Sequence, residues 1–391
     1  MLNTKLSPWP SFTQEEIDAV AGVLRSNKVN YWTGNESREF EKEFAAYVGS
    51  RHAIALANGT LAIDLALKVL GIGKGDEVIV TSRTFLASAS SIVNAGAVPV
   101  FADVDRDSQN ITAETIRAVL TTRTKAIMCV HLAGWPCDMD PIMELARERN
   151  LYVIEDCAQA HGARYKGRHV GTIGHIGAWS FCQDKIMTTG GEGGMVTLDD
   201  DMWWRAAWAF KDHGKSYAAV YEKSHPPGFR WLHESFGTNW RITEMQSAIG
   251  RIQLRRLDTW KARRQAIARR LDEACEPFAS IRLAKAPLDI DHAKYKHYAF
   301  IRPEALRENI SRDDVVAKLN AAGVPSYQGS CSEVYLEKAF DGTNWRPAAP
   351  LQVAHELGET SLMFLVHPTL ADEEIDTVCA SIGQVLQKVT R

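Results

Sequence analysis

Two stretches decide the fold: V-I-E-D-C-A-Q-A-H over Val153–His161 and S-F-C-Q-D-K-I-M-T-T-G-G-E-G-G over Ser180–Gly194. The first is an apolar strand that ends in Glu155-Asp156 and runs into small residues. The second puts one lysine between a strand end and four glycines. In a mostly parallel sheet covered by helices, ligands bind at the carboxyl ends of the strands, so an acid and a lysine placed there face the crevice. Taken alone, an Asp after a strand also serves as a turn cap, and a lone lysine as a solvated surface charge.

Outward from these stretches, residues 50–200 alternate short apolar runs with helical patterns in the βαβ manner. The predicted strands are His52–Ala57, Glu77–Thr81, Val98–Ala102, Ala126–Val130, Leu151–Glu155 and Ala178–Phe181. The predicted helices between them are Leu61–Leu70, Ala87–Ala95, Ala113–Leu120 and Met139–Glu148. Before this block, Thr13–Glu16 reads as a capping box, and Phe40, Phe44 and Tyr47 fall at helical spacing. After it, Thr243 to about Ala274 reads as one long Arg-rich helix ending near Glu276-Pro277. The expected organisation is a large domain over 1–275 and a smaller α+β domain over 276–391. Lys215–Thr238, with Pro226-Pro227-Gly228, has little periodicity and reads as a surface or interface loop, of a length that is often functional.

Composition narrows the function. The chain has 391 residues, 45% hydrophobic and 24% charged, with net charge −3, which leaves no basic field for nucleic acid. No run reaches the roughly 18 apolar residues of a membrane span, and Met1–Glu15 lacks a signal-peptide pattern, so a cytoplasmic location without a membrane partner is expected. The seven cysteines form no C-x-x-C pair and the 12 histidines no ligand spacing, so no metal is expected.

Lys185, set between an apolar strand and glycines that let backbone approach a ligand, suits a desolvated amine able to form a Schiff base. Pyridoxal 5′-phosphate (PLP) needs such an amine at its aldehyde and an anion at its ring nitrogen, which Asp156 supplies. Gly59-Thr60, after a strand and opening a helix, offers N–H groups and a hydroxyl to a phosphate, although Asn-Gly also marks ordinary turns. Phe85, in T-S-R-T-F after the second strand, taken alone reads as a core-packing aromatic.

The chain resembles the DegT/DnrJ/StrS family of sugar aminotransferases, with motifs in order from Thr33-Gly34 through Asn58-Gly59-Thr60 and Glu155–Gly162 to Gly237–Gly250. The resemblance implies the PLP-dependent fold type I, an α/β fold with a mostly parallel seven-stranded sheet between helices. It implies catalytic roles for Lys185 and Asp156, and cofactor contacts from Gly59, Thr60, Phe85, Gln159, Ser180 and Asn239. It also implies substrate contacts from Thr33, His161 and Tyr327, with His161 positioning the ring or only packing. Asn239, in G-T-N-W-R, would reach the phosphate in the neighbouring subunit of a homodimer with shared sites.

The expected reaction is amino transfer from L-glutamate to a nucleotide-linked 4-keto-6-deoxysugar for a cell-surface polysaccharide such as a lipopolysaccharide O-antigen. A 3-keto-sugar, a keto-cyclitol or a PLP-binding sensor role is the alternative. Dehydration is disfavoured because the related dehydratases carry histidine where Lys185 stands. Lys215 and Arg230 are candidates for the substrate diphosphate or plain surface charges. The Cys182-Gln183-Asp184 triplet departs from the family's commoner versions and bears on specificity.

Overall fold

The computed structural model describes residues 6–225, 227–228 and 230–391, so Pro226 of the proline pair lies outside the described residues. Helices α1 (Gln14–Ser26) and α2 (Glu36–Val48) precede a run of β1 (His52–Leu56), α3 (Gly59–Val69), β2 (Glu77–Thr81), α4 (Leu86–Asn94), β3 (Val98–Ala102), α5 (Ala113–Arg117), β4 (Thr124–Val130), α6 (Met139–Arg149) and β5 (Tyr152–Asp156). Short strands β6 (Arg164–Tyr165) and β7 (Arg168–His169) lead to β8 (Ile176–Ser180), β9 (Gly194–Leu198) and α7 (Asp201–Lys211). The capping box of α1 forms as expected, with Glu16 Oε2 accepting from Thr13 N–H at 2.7 Å.

The seven-stranded sheet has the order β1-β9-β8-β5-β4-β2-β3. Only β9 runs against the others, antiparallel to both β1 and β8, while β8, β5, β4, β2 and β3 pair in parallel. Alternate residues of one strand enter opposite cores: Val78 and Val80 pack on the α3 side, Ile79 on the α6 side. Burial on both faces explains why these strands read as unbroken apolar runs. Strand β9 escapes the sequence reading because its first residue, Gly194, closes the glycine run and looks like turn.

Helix α8 (Glu244–Cys275) then crosses the molecule. Its first half packs on α1 and α2. Its second half, through Ile267, Leu271 and Cys275, enters a separate core with the residues that follow. Those comprise β10 (Ile281–Arg282), β11 (Ile290–Asp291), β12 (His297–Ile301), α9 (Arg312–Ala321), β13 (Ser326–Tyr327), α10 (Gln352–Thr360), β14 (Ser361–Phe364) and α11 (Asp372–Val389). Strands β10, β12, β14 and β13 form a four-stranded sheet, and β11 joins β6 and β7.

Candidate active site

The sheet brings the ends of β1, β8, β5 and β4 to one edge, and the sequence-predicted residues gather there. Asp156 ends β5 and is 6% exposed. Its Oδ2 accepts from Ser88 Oγ at 2.9 Å and its Oδ1 from Ala158 N–H at 3.1 Å, so both oxygens are aimed before any ligand arrives. Ser88 also bonds Thr84 Oγ1 at 2.9 Å, which ties the carboxylate to the loop carrying Phe85. Phe85 itself is 71% exposed, so the core-packing alternative fails and its ring stands open to a ligand.

Gln159 points its amide oxygen at Ala133 N–H, 2.8 Å away, which turns its NH2 group the other way as a donor. The Ala133 turn is held in the left-handed region at φ 55°. At the β1 end, the Asn58 side chain caps α3 by accepting from Leu61 N–H at 3.0 Å. The N–H groups of Gly59 and Thr60 have no partner inside the helix, as at every helix start. A Cβ on Gly59 would lie 2.4 Å from Ser180 Cβ, so only glycine lets the helix start close onto the β8 end. The result is a cradle of backbone N–H groups, the Thr60 and Ser180 hydroxyls and a positive helix terminus, which is the chemistry a phosphate needs.

Lys185 lies in the loop between β8 and β9. Trp9 Nε1 donates to its carbonyl at 2.9 Å, and its Nζ stands 5.2 Å from the centre of the Tyr295 ring. The Tyr295 hydroxyl donates to the Asp184 carboxylate. Burial pushes that carboxyl's pKa up, but Lys185, the Tyr295 bond and Lys296 outweigh it and hold it below the usual range.

Behind Asp156, Glu155 is fully buried. Its Oε1 accepts from Ile173 and Gly174 N–H at 2.8 and 2.6 Å, and its Oε2 from Gly171 N–H at 2.8 Å and His131 Nε2 at 3.0 Å. His131 Nδ1 accepts from Cys137 N–H at 2.9 Å, which fixes the imidazole proton on Nε2. Burial pushes the Glu155 pKa up, yet His131 and the backbone donors hold it below its ordinary value. Ligand atoms of His131, Glu155 and Cys157 lie within 4.8 Å of one another. The Glu155 oxygens are already filled by four donors, and burial pushes the Cys157 thiol up, so the trio is a hydrogen-bonded clamp.

His161 is fully buried, with ring centroids 5.6 and 5.5 Å from Trp179 and Phe181, which is the packing arrangement the sequence left open beside a substrate contact. Burial, with Lys185 nearby, pushes its pKa down to about 3. Lys215 is buried, with Nζ 3.0 Å from Asp212 and 4.4 Å from the Trp32 ring centre, and is no surface cation for a diphosphate.

The remaining residues lie on loops at this edge or beside it. Thr33 is exposed, its N–H and hydroxyl bonded to Asn30. Tyr327 pairs with Met363 in the small sheet, and the loop after it approaches Phe85, with the Cys331 carbonyl accepting from Thr84 N–H at 3.1 Å. Asn239 is exposed. The neighbouring Trp240 carbonyl accepts from Ala57 N–H of the same chain at 3.0 Å, so this loop passes the α3 start of its own subunit. Sequence reading missed Ser88, Tyr295, Lys296, Arg264 and Trp9, which lie on elements without a motif.

An acid, an amine and a helix start converging on one sheet edge suit a PLP enzyme of fold type I, because their donors and acceptors match its ring nitrogen, aldehyde and phosphate. The chain belongs to the DegT/DnrJ/EryC1/StrS aminotransferase family, whose pattern matches residues 10–383, and it is a PLP-dependent aminotransferase. It is 39% identical over 354 residues to GDP-perosamine synthase of Caulobacter vibrioides, covering 89% of each chain. It is 35% identical to GDP-perosamine synthase of Escherichia coli O157:H7, covering 96% of each. An aminotransferase structure from Psychrobacter cryohalolentis superposes with TM-score 0.97 at 61% identity, covering 98% of this chain and 99% of that one.

Proposed function

We propose that the protein transfers an amino group from L-glutamate to a nucleotide-linked 4-keto-6-deoxysugar, with Lys185 as the proton-transferring amine and Asp156 as the ring-nitrogen partner. The observation that carries this reading is that Asp156 and the Lys185 loop leave adjacent strands, β5 and β8, beside the Gly59–Ser180 cradle. Two relatives whose names specify a GDP-linked product support the nucleotide-sugar substrate. When bound, PLP supplies an aldehyde that carries the amino group and a ring that takes up the electron pair released at the donor carbon.

The chain's residues then divide the work. Asp156, an acceptor held by Ser88 and Ala158, would pair with the ring nitrogen and keep it protonated. Gln159 would donate its NH2 to the cofactor. Gly59, Thr60 and Ser180 would hold the phosphate, joined by Asn239, and the exposed Phe85 would lie against the ring. Lys185 would take the proton from the amino-bearing carbon and return it. Thr33 and Tyr327 sit on the loops assigned to the sugar. We take 1–275 and 276–391 as the two structural units, working as a cytoplasmic homodimer that supplies amino sugar for a cell-surface polysaccharide such as an O-antigen.

The test uses the yellow holoenzyme, L-glutamate and a panel of nucleotide-linked 4-keto-6-deoxysugars. Glutamate should bleach the visible band, and the correct sugar should restore it and leave as an amine by mass spectrometry. A holoenzyme that glutamate leaves yellow sinks the donor assignment. One that glutamate bleaches but no sugar restores sinks the acceptor.

A further inference from the structure

Behind Lys185 lies a charge cluster that none of the assigned cofactor contacts uses. Tyr295 is its hub. Lys185 Nζ stands 5.2 Å and Lys296 Nζ 4.6 Å from its ring centre, its carbonyl accepts from Arg264 Nη1 at 3.2 Å, and its hydroxyl donates to Asp184. Three cations therefore surround one carboxylate. Arg264 is 2% exposed, and its Nε and Nη2 have no hydrogen-bond partner among the described residues. Those two N–H groups form the edge of a guanidinium that binds a carboxylate with two parallel bonds. The Trp9 ring covers the guanidinium face at 5.2 Å.

A buried arginine with an unmet donor edge and an excess of positive charge is costly unless an anion completes it. Burial pushes the Lys296 amine down to about 8 and the Arg264 guanidinium down to about 9, so both cations are held at a cost that an added negative charge would relieve. His367, whose ring stacks on Trp9 at 6.2 Å, is pushed down to about 3 by burial, then by Arg264 and Lys296, and adds no charge of its own.

We propose that Arg264 and Lys296 form the subsite for the α-carboxylate of the amino donor, with Trp9 as the wall that shifts to admit it. This rests on the reading of Lys185 as the proton-transferring amine. The donor's α-carboxylate is one bond from the carbon that loses its proton, so it must lie beside Lys185, where this cluster is. The diphosphate of a sugar nucleotide sits across the sugar ring from the reacting carbon and is too far from that point. Half-buried Lys296 makes the first contact, and the Arg264 edge receives the carboxylate once Trp9 moves.

The test separates the two half-reactions in single-turnover absorbance measurements. Holoenzyme is converted by L-glutamate or by its α-carboxamide analogue L-isoglutamine, and, in the sugar half-reaction, by an aminated nucleotide sugar. Wild type should favour glutamate over isoglutamine. In Lys296→Gln, glutamate conversion should fall about tenfold or more relative to the sugar half-reaction, the loss of one charge-assisted bond, and the glutamate preference should shrink. Arg264→Lys should do the same, and Lys296→Arg should restore the preference. If Arg264→Lys does not fold, Lys296→Gln decides. A glutamate-to-isoglutamine ratio unchanged in Lys296→Gln overturns the subsite while the aminotransferase reading stands. A holoenzyme that no α-amino acid converts overturns both.

Discussion

Replacing Glu155 by glutamine tests whether the buried clamp behind Asp156 holds the site together. The carboxylate accepts four hydrogen bonds, two at each oxygen. Glutamine keeps one oxygen and presents an NH2 to the other pair of donors. His131 cannot rescue its side by changing tautomer, because Nδ1 already accepts from Cys137 N–H. Two charge-assisted bonds are lost, each worth about 1.5–3 kcal/mol, so the variant should lose about 3–6 kcal/mol. With unfolding entropy near 2.1 cal/mol/K per residue over 391 residues, that loss lowers Tm by about 4–7 °C. The assay is differential scanning fluorimetry of apoprotein, wild type beside Glu155→Gln. The sign with pH follows from the depressed Glu155 pKa. Its stabilisation is full above the unfolded carboxyl value of about 4.3 and is lost as pH falls through the lower folded value, so the gap between the two proteins should close in acid. A variant that melts within 1 °C of wild type at neutral pH, a shift of about the size of experimental scatter, would refute the clamp.

Other outcomes follow from the same geometry. Asp156→Asn should bind PLP but lose on the order of 100-fold or more in the glutamate half-reaction, because an amide cannot balance the ring's positive charge; an unchanged rate would make Asp156 a turn residue. Lys185→Ala and Asn239→Asp should each be inactive, the second because a carboxylate faces the phosphate. If Asn239 serves the partner's site, exchanging subunits between the two variants should restore about one site in four by random pairing. No recovery, with exchange confirmed by mass, would place Asn239 beside the α3 start of its own chain. His161→Phe should keep turnover and flatten the fall of Tm between about pH 6.5 and 3, because a histidine held neutral in the fold costs stability wherever the unfolded chain protonates it; loss of turnover would return His161 to the reacting centre.

Legibility from sequence followed periodicity. Strands β1 to β5 and β8 were readable within two residues because burial on both faces writes long apolar runs, and β9 was not, because Gly194 belongs to both a turn and a strand. The roles proposed for Asp156, Gln159 and Lys185 rest on local motifs that the sequence alone displays. His161, two residues past Gln159, reads in sequence as a contact or as packing, and the fold sets its ring against Trp179 and Phe181. Phe85 could not be settled in one dimension, since an aromatic before a helix reads alike whether covered or open. Arg264, Lys296 and Trp9 left no local signal: they meet Lys185 only because α8, the lead-in to β12 and the N-terminal segment converge in three dimensions.

The pairing of β8 with β9 has one further consequence. Ser180 and Gly194 face each other in register, so the segment bearing Lys185 leaves and rejoins the sheet at the same rung. It behaves as a cassette with a fixed socket. Positions such as Cys182 and Gln183 can be exchanged to alter the floor of the crevice while both ends stay anchored. Lengthening either flank by one residue would turn every side chain of that strand to the opposite face. Engineering of this enzyme's specificity can therefore vary the loop around Lys185 and Asp184 but cannot move its hinges.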